Sequence, residues 1–218
     1  MRQDVYVWEV PVRLIHWTIF LSLIVLCISG YYIGDPYIVV RGEAYGSYLM
    51  GWMRFIHPVV AFVFTFCVLG RIYWAFAGNR WASWRELIPL SRERRQGMPR
   101  MLRYYLFLER DPHPAVGHNP LAGISYFFVY LSFLLQILTG FALRSSAYPH
   151  GFWPGAFGWV LTLFGTQHVR LVHHLLMYVI VAWVLHHVYS AILVDHEERS
   201  GLITSIFTGY KHLERGES

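Results

Sequence analysis

Lysine is almost missing from this chain: its 18 basic residues are 17 arginines and the single Lys211. Charged residues of either sign make up only 14% of the sequence, while apolar ones reach 56%, against about 45–50% in soluble domains. A soluble chain of 218 residues would have too little polar surface to cover such a core, and a bilayer removes that requirement. Cysteine is scarce as well. Cys27 and Cys67 both sit inside apolar runs and read as small buried hydrophobes. They make neither a CxxC pair nor a CxxCH attachment site, which excludes a zinc ribbon and a covalently attached prosthetic group. The net charge of +5 does not mark a nucleic-acid binder, because the arginines bracket long apolar stretches instead of forming one basic face. They read as topology signals and anion partners.

Those apolar stretches are long. Four are predicted to span, at about 14–33, 53–77, 121–143 and 169–194, each enough for the ~20 residues that cross ~30 Å of hydrocarbon. A fifth, Gly155 to Gly165, is too short and is expected in the interface. The fold class is therefore an all-α membrane protein, a four-transmembrane-helix bundle, with residues 1–218 as one domain. Asp4, Glu9 and the length of the first run argue against a cleavable signal peptide. Between spans two and three lie Arg80, Arg85, Arg92, Arg94, Arg95, Arg100, Arg103 and Arg110; after span one there is only Arg41, and from Ser145 to His168 there is none. The positive-inside rule then places the middle loop and both termini in the cytoplasm. Trp17, Tyr31, Tyr32, Trp52, Tyr73, Trp74 and Tyr189 read as interfacial belts.

Twelve histidines are many for this length, and six lie in or at the edge of spans: His16, His57, His173, His174, His186 and His187. An ionisable side chain in hydrocarbon is costly and points to function. His173 and His187 are 14 residues apart, a rotation of about −40° and a rise of ~21 Å, so they share one helix stripe. His174 and His186 fall off that stripe and are expected to make interfacial or helix contacts. Depth pairs His57 with His173 near the outside and His16 with His187 near the cytoplasm. Zinc or copper would need three or four converging ligands. Two separated pairs of neutral imidazoles instead suit the two axial positions of haem iron, whose large apolar face fits a bundle core.

Arginine supports this pattern. Arg13, Arg54 and Arg170 each precede a candidate ligand by three residues, at His16, His57 and His173. That spacing puts arginine and histidine on one face, with the guanidinium one turn nearer the headgroups, where haem propionates would meet it. Arg71 follows His57 by 14 residues and is a further candidate propionate partner at cytoplasmic depth. Gly30 stands in the same relation to His16, and its missing side chain would let a haem lie close. Gly117-His118-Asn119-Pro120 reads as the start of span three, with Asn119 as cap. Pro58 is expected in the first turn of span two, where proline is tolerated.

Along about residues 6 to 211 the chain resembles the membrane cytochrome b subunit of bacterial nickel–iron hydrogenases. The resemblance rests on Tyr6-Val7-Trp8-Glu9-Val10-Pro11-Val12-Arg13 leading to His16-Trp17, and on Arg71-Ile72-Tyr73-Trp74-Ala75-Phe76 with Gly78-Asn79-Arg80. It continues through Tyr105-Leu106-Phe107-Leu108, Gly117-His118-Asn119-Pro120, Thr139-Gly140-Phe141-Ala142-Leu143 and His187-Val188-Tyr189. It implies two non-covalent b-type haems with axial ligands His16, His57, His173 and His187. The chain departs from the family in doubling two of these, with His174 and His186. The implied function is respiratory electron transport in the bacterial inner membrane. Electrons would pass from a periplasmic hydrogenase, through its small subunit and that subunit's anchor helix, to quinone, with the large subunit engaged through the small one. Lacking cysteine sets for iron–sulfur clusters or nickel, the chain would be a redox subunit and not a hydrogenase alone. A formate dehydrogenase cytochrome or a stand-alone quinone-linked cytochrome b is the alternative in the same chemistry, and a four-helix transporter or channel the alternative outside it. Tyr148, Phe152, Trp153, Phe157 and Trp159 would offer a periplasmic partner an uncharged aromatic surface.

Overall fold

A computed structural model describes residues 2–38, 46, 48–88, 91–106, 108–109, 120–148 and 150–214. Arg41, Phe107, Arg110, the Gly117–Asn119 start signal with His118, and Arg215 lie outside the described residues. Four helices are long and apolar enough to cross a membrane. They are α1 (Val10–Gly34), α2 (Leu49–Ala77), α5 (Pro120–Ala147) and α7 (Thr166–Glu198). Between them run the short α3 (Trp84–Leu87), the arginine-rich α4 (Arg92–Tyr105) and the apolar α6 (Phe152–Phe164). The chain is thus an all-α membrane protein with four spanning helices.

Each long helix extends a few residues past its apolar stretch. Ending a helix inside hydrocarbon would strand backbone donors and acceptors without water, so the hydrogen-bonded turns continue to the polar residues at each end. The extension moves Pro58. It was expected in a first turn, but α2 begins at Leu49 and leaves Pro58 in the helix interior. Having no N–H, Pro58 offers no donor to the Arg54 carbonyl four residues back.

The chain divides into two compact units, one of Leu14–Ile72 and the other of the segments before and after it. In the first, the buried stripe of α1 is Ile19, Ser22, Ser29 and Tyr32, and that of α2 includes Phe64, Val68 and Arg71. Hydrophobic burial does not drive helices together in lipid, so small side chains such as Ser22 and Ser29, which allow close backbone approach, decide where packing occurs.

The second unit carries a feature the helical periodicity did not reveal. Strand β1 (Arg2–Tyr6) pairs antiparallel with β2 (Tyr210–Glu214), in register from Arg2 with Glu214 to Tyr6 with Tyr210. The short helix α8 (Leu202–Thr208) leads into β2. Gly209 joins them at φ 94°, and its carbonyl accepts from the N–H groups of Val7 and Trp8. A Cβ there would meet Tyr6 at 2.6 Å and the Trp8 carbonyl at 2.9 Å, so only glycine fits. Trp8 Nε1 donates to Ser205 Oγ at 3.1 Å. The Glu9 carboxylate accepts from Trp74 Nε1 at 2.9 Å and from the Asn79 amide at 2.8 Å. Lys211 is buried and pairs with Glu198 at 3.5 Å. Tyr104 of α4 hydrogen-bonds Glu197 of α7; burial, and then the Glu197 carboxylate, push its phenol above the usual tyrosine range.

Candidate functional site

The four candidate ligands are all partly buried. His57 projects from α2 toward α1. Its Nδ1 lies 2.9 Å from Ser29 Oγ, and its ring covers Gly30, where a Cβ would meet His57 Cε1 at 2.9 Å. The ring therefore occupies the volume that any other residue at 30 would fill. Gly30 was expected to give clearance for a haem; the group the structure places against it is the His57 imidazole.

His173 is held in the same manner. It projects from α7 toward α5, with Nδ1 2.9 Å from Thr139 Oγ1, and a Cβ on Gly140 would meet its Cε1 at 3.1 Å. Gln136, one turn away on α5, brings its amide nitrogen to 3.4 Å from His173 Nε2. His187 also faces α5, with Nδ1 3.0 Å from the Tyr126 hydroxyl. Its ring stacks on Trp183 at an interplanar angle of 5° and a centroid separation of 5.1 Å. His16 meets the edge of Trp17 at 5.2 Å.

The doubled histidines have other surroundings. His174 meets Tyr178, one turn along the same helix. His186 is exposed, lies edge-on to Tyr105 of α4 and is 3.4 Å from Ser190 Oγ.

The arginines divide. Arg71 is buried; Arg54 and Arg170 are exposed, one turn from their histidines. Arg13 donates through Nη1 to the Phe207 carbonyl, so the end of α8 already engages one side of its guanidinium. The aromatic surface expected around α6 is only partly free. Trp153 and Phe157 pack on Phe141, while Tyr148, Phe152 and Trp159 are exposed. Nor is it uncharged, since the Arg144 guanidinium lies over the rings of Tyr148 and Trp153.

Sequence reasoning missed Ser29, Thr139, Gly140, Tyr126 and Trp183 as histidine partners. One signal was present: Ser29-Gly30-Tyr31 and Thr139-Gly140-Phe141 are the same hydroxyl–glycine–aromatic triplet on two helices. The residues fit a haem. No group of three or more His, Cys, Asp or Glu that suits a bare metal ion occurs among the described residues. Three imidazoles in apolar spans, His57, His173 and His187, are instead each backed at Nδ1 by a hydroxyl, the arrangement that orients an axial ligand.

A family model described as prokaryotic cytochrome b561 matches residues 7–209. A Cupriavidus necator protein named probable Ni/Fe-hydrogenase B-type cytochrome subunit is 44% identical over 212 residues, covering 94% of this chain and 86% of its own length. An Azotobacter vinelandii protein of the same name is 41% identical, with 95% and 88% covered. A probable Ni/Fe-hydrogenase 1 B-type cytochrome subunit of Escherichia coli K12 is 37% identical, with 97% and 92% covered. Matched along nearly its whole length, this chain belongs to the prokaryotic cytochrome b561 family.

Proposed function

We propose that the chain is the transmembrane electron-transfer subunit of a respiratory nickel–iron hydrogenase, passing electrons from the periplasmic enzyme to quinone. Its cofactor is b-type haem, and in this reading there are two, with axial ligands His16, His57, His173 and His187 paired by their depth in the sequence. The observation that carries the reading is the matched setting of His57 and His173: a hydroxyl at Nδ1 and a glycine against the ring. Bound haem supplies a one-electron ferric/ferrous couple that needs no proton from the protein.

The chain's own residues do the rest. Ser29, Thr139 and Tyr126 at Nδ1 hold the imidazoles of His57, His173 and His187 in one rotamer, and the apolar spans keep water from the ligands. Arg54, Arg71 and Arg170 supply positive charge for propionates, as does the part of the Arg13 guanidinium not turned to Phe207. The whole chain acts as a single unit in the bacterial inner membrane, with both termini cytoplasmic. The β1–β2 pairing supports a common side for the two ends, and the arginine-rich α4 supports the cytoplasm as that side. The partners are the hydrogenase small subunit with its anchor helix, the large subunit through it, quinone and the bilayer.

The test is haem stoichiometry and electron flow in the purified complex. Pyridine haemochrome analysis is expected to approach two haems per chain, and hydrogen is expected to reduce them and then quinone. One haem with all four histidines intact rules out the two-site reading; cytochrome that hydrogen cannot reduce rules out the hydrogenase role.

A further inference from the structure

We infer that Ser29 and Thr139 are positioning residues that fix the tautomer of His57 and His173 and raise the electron density on their iron-binding nitrogens. The inference rests on the axial-ligand reading of these two histidines and deepens it.

A hydroxyl has one hydrogen and two lone pairs. Ser29 Oγ donates to the Val25 carbonyl at 2.6 Å, and Thr139 Oγ1 donates to the Leu135 carbonyl at 2.8 Å. In each case the single hydrogen goes to the backbone one turn back. Toward imidazole the oxygen therefore offers only a lone pair, and the 2.9 Å contacts require a hydrogen on Nδ1 of His57 and of His173. A neutral ring with hydrogen on Nδ1 keeps its lone pair on Nε2. One neighbour agrees. The Gln136 amide, a donor, faces His173 Nε2.

Ser29 and Thr139 are both buried, so water does not take the hydroxyl's place. Accepting from Nδ1–H gives the ring partial imidazolate character, which strengthens Nε2 as a ligand and favours the higher oxidation state.

The device occurs twice. Ser29-Gly30 and Arg54-x-x-His57 on α1 and α2 correspond to Thr139-Gly140 and Arg170-x-x-His173 on α5 and α7. In both, the glycine next to the hydroxyl admits the ring that the hydroxyl then holds. Two helix pairs with one local construction make a chance serine or threonine contact a poor explanation. His187 differs: its partner is the Tyr126 phenol.

The test is redox titration with low-temperature EPR of the haem-loaded, full-length protein in detergent. Ser29→Ala and Thr139→Ala are expected to keep both haems and to raise the midpoint of one. Losing a neutral hydrogen bond of ~1 kcal/mol changes the ferric-to-ferrous ratio roughly fivefold, or ~40 mV at 59 mV per tenfold. The g values of that haem are expected to move with it. Ser29→Thr and Thr139→Ser keep a hydroxyl and are expected to keep the wild-type values. Tyr126→Phe is expected to shift the other haem only.

Unchanged potentials and g values in both alanine variants would overturn the inference, as would Thr and Ser exchanges that shift as far as alanine does. If Ser29→Ala does not fold, Thr139→Val decides, since it replaces one hydroxyl by a methyl of equal size. Retention of both haems by His57→Ala and by His173→Ala is a separate outcome, and it refutes the axial-ligand reading itself.

Discussion

Gly30→Ala adds one methyl group, and the structure says where it goes. The new Cβ would stand 2.9 Å from His57 Cε1, closer than carbon atoms approach without displacement. The helix gains up to ~1 kcal/mol of intrinsic propensity from the change, whereas forcing a methyl into a filled space costs about 1–3 kcal/mol. The propensity gain is the same with and without haem. The steric cost falls on the ring in the position that the Ser29 contact defines. The ring yields by turning away from α1, which breaks the 2.9 Å bond to Ser29. We expect haem affinity at this site to fall by about one to two powers of ten, at 1.4 kcal/mol per tenfold.

Gly140→Ala is the milder case, because the approach to His173 Cε1 is 3.1 Å and a few tenths of an ångström relieve it. Gly51→Ala on α2 is the control, since nothing lies within 4 Å of its Cβ position. Haem per chain, measured by pyridine haemochrome after extensive washing in detergent, should rank Gly51→Ala with wild type, then Gly140→Ala, then Gly30→Ala. Full haem with an unshifted spectrum in Gly30→Ala would refute the reasoning, because the contact would then have been relieved without moving the ligand. A larger loss in Gly140→Ala than in Gly30→Ala would refute the ranking by distance.

Replacing His173 or His187 by alanine is expected to remove one haem signal each in the reduced spectrum, whereas His174→Ala and His186→Ala leave both. Loss of a haem in His186→Ala but not in His187→Ala would shift the ligand stripe of α7 by one residue. Lys211→Met is expected to lower stability by ~3 kcal/mol through Glu198, its partner at 3.5 Å. The check is a thermal melt in detergent, and an unchanged midpoint would mean that the pair contributes nothing.

Hydrophobic run length made the four spans readable, because lipid imposes it on the primary sequence. The 14-residue stripe separated His173 and His187 from His174 and His186 by simple helical rotation, and the neighbours differ accordingly: Thr139 and Tyr126 on α5 for the first pair, Tyr178 and Tyr105 for the second. What stayed hidden were tertiary partners. A serine in an apolar helix usually bonds its own backbone. Ser29 does so, and nothing local to α1 says that a histidine 28 residues on takes its other lone pair. The strands at the two ends were equally illegible, since β1 and β2 pair across almost the whole chain. Their short runs have no helical period to read and acquire a partner only when the helices bring the ends together.

The proposed ligand set contains one irregularity in its arginine pattern. Arg-x-x-His occurs at His16, His57 and His173, but His187 has Val184 three residues before it. Counting 14 residues along each helix from the shared construction locates it. On α2, 14 residues beyond His57 is Arg71; on α7, 14 beyond His173 is His187. On α1, 14 before Gly30 is His16; on α5, 14 before Gly140 is Tyr126. In each helix pair the second helix thus carries a histidine three residues after an arginine, His57 on α2 and His173 on α7. Fourteen residues along, one pair has His16 on its first helix and Arg71 on its second, while the other has Tyr126 on its first and His187 on its second. In the proposed ligand set, the pair that carries Arg71 on α2 supplies its second imidazole from α1, at His16. In the other pair no arginine precedes His187 at the same spacing, and Tyr126 and Trp183 are the side chains that fix its ring.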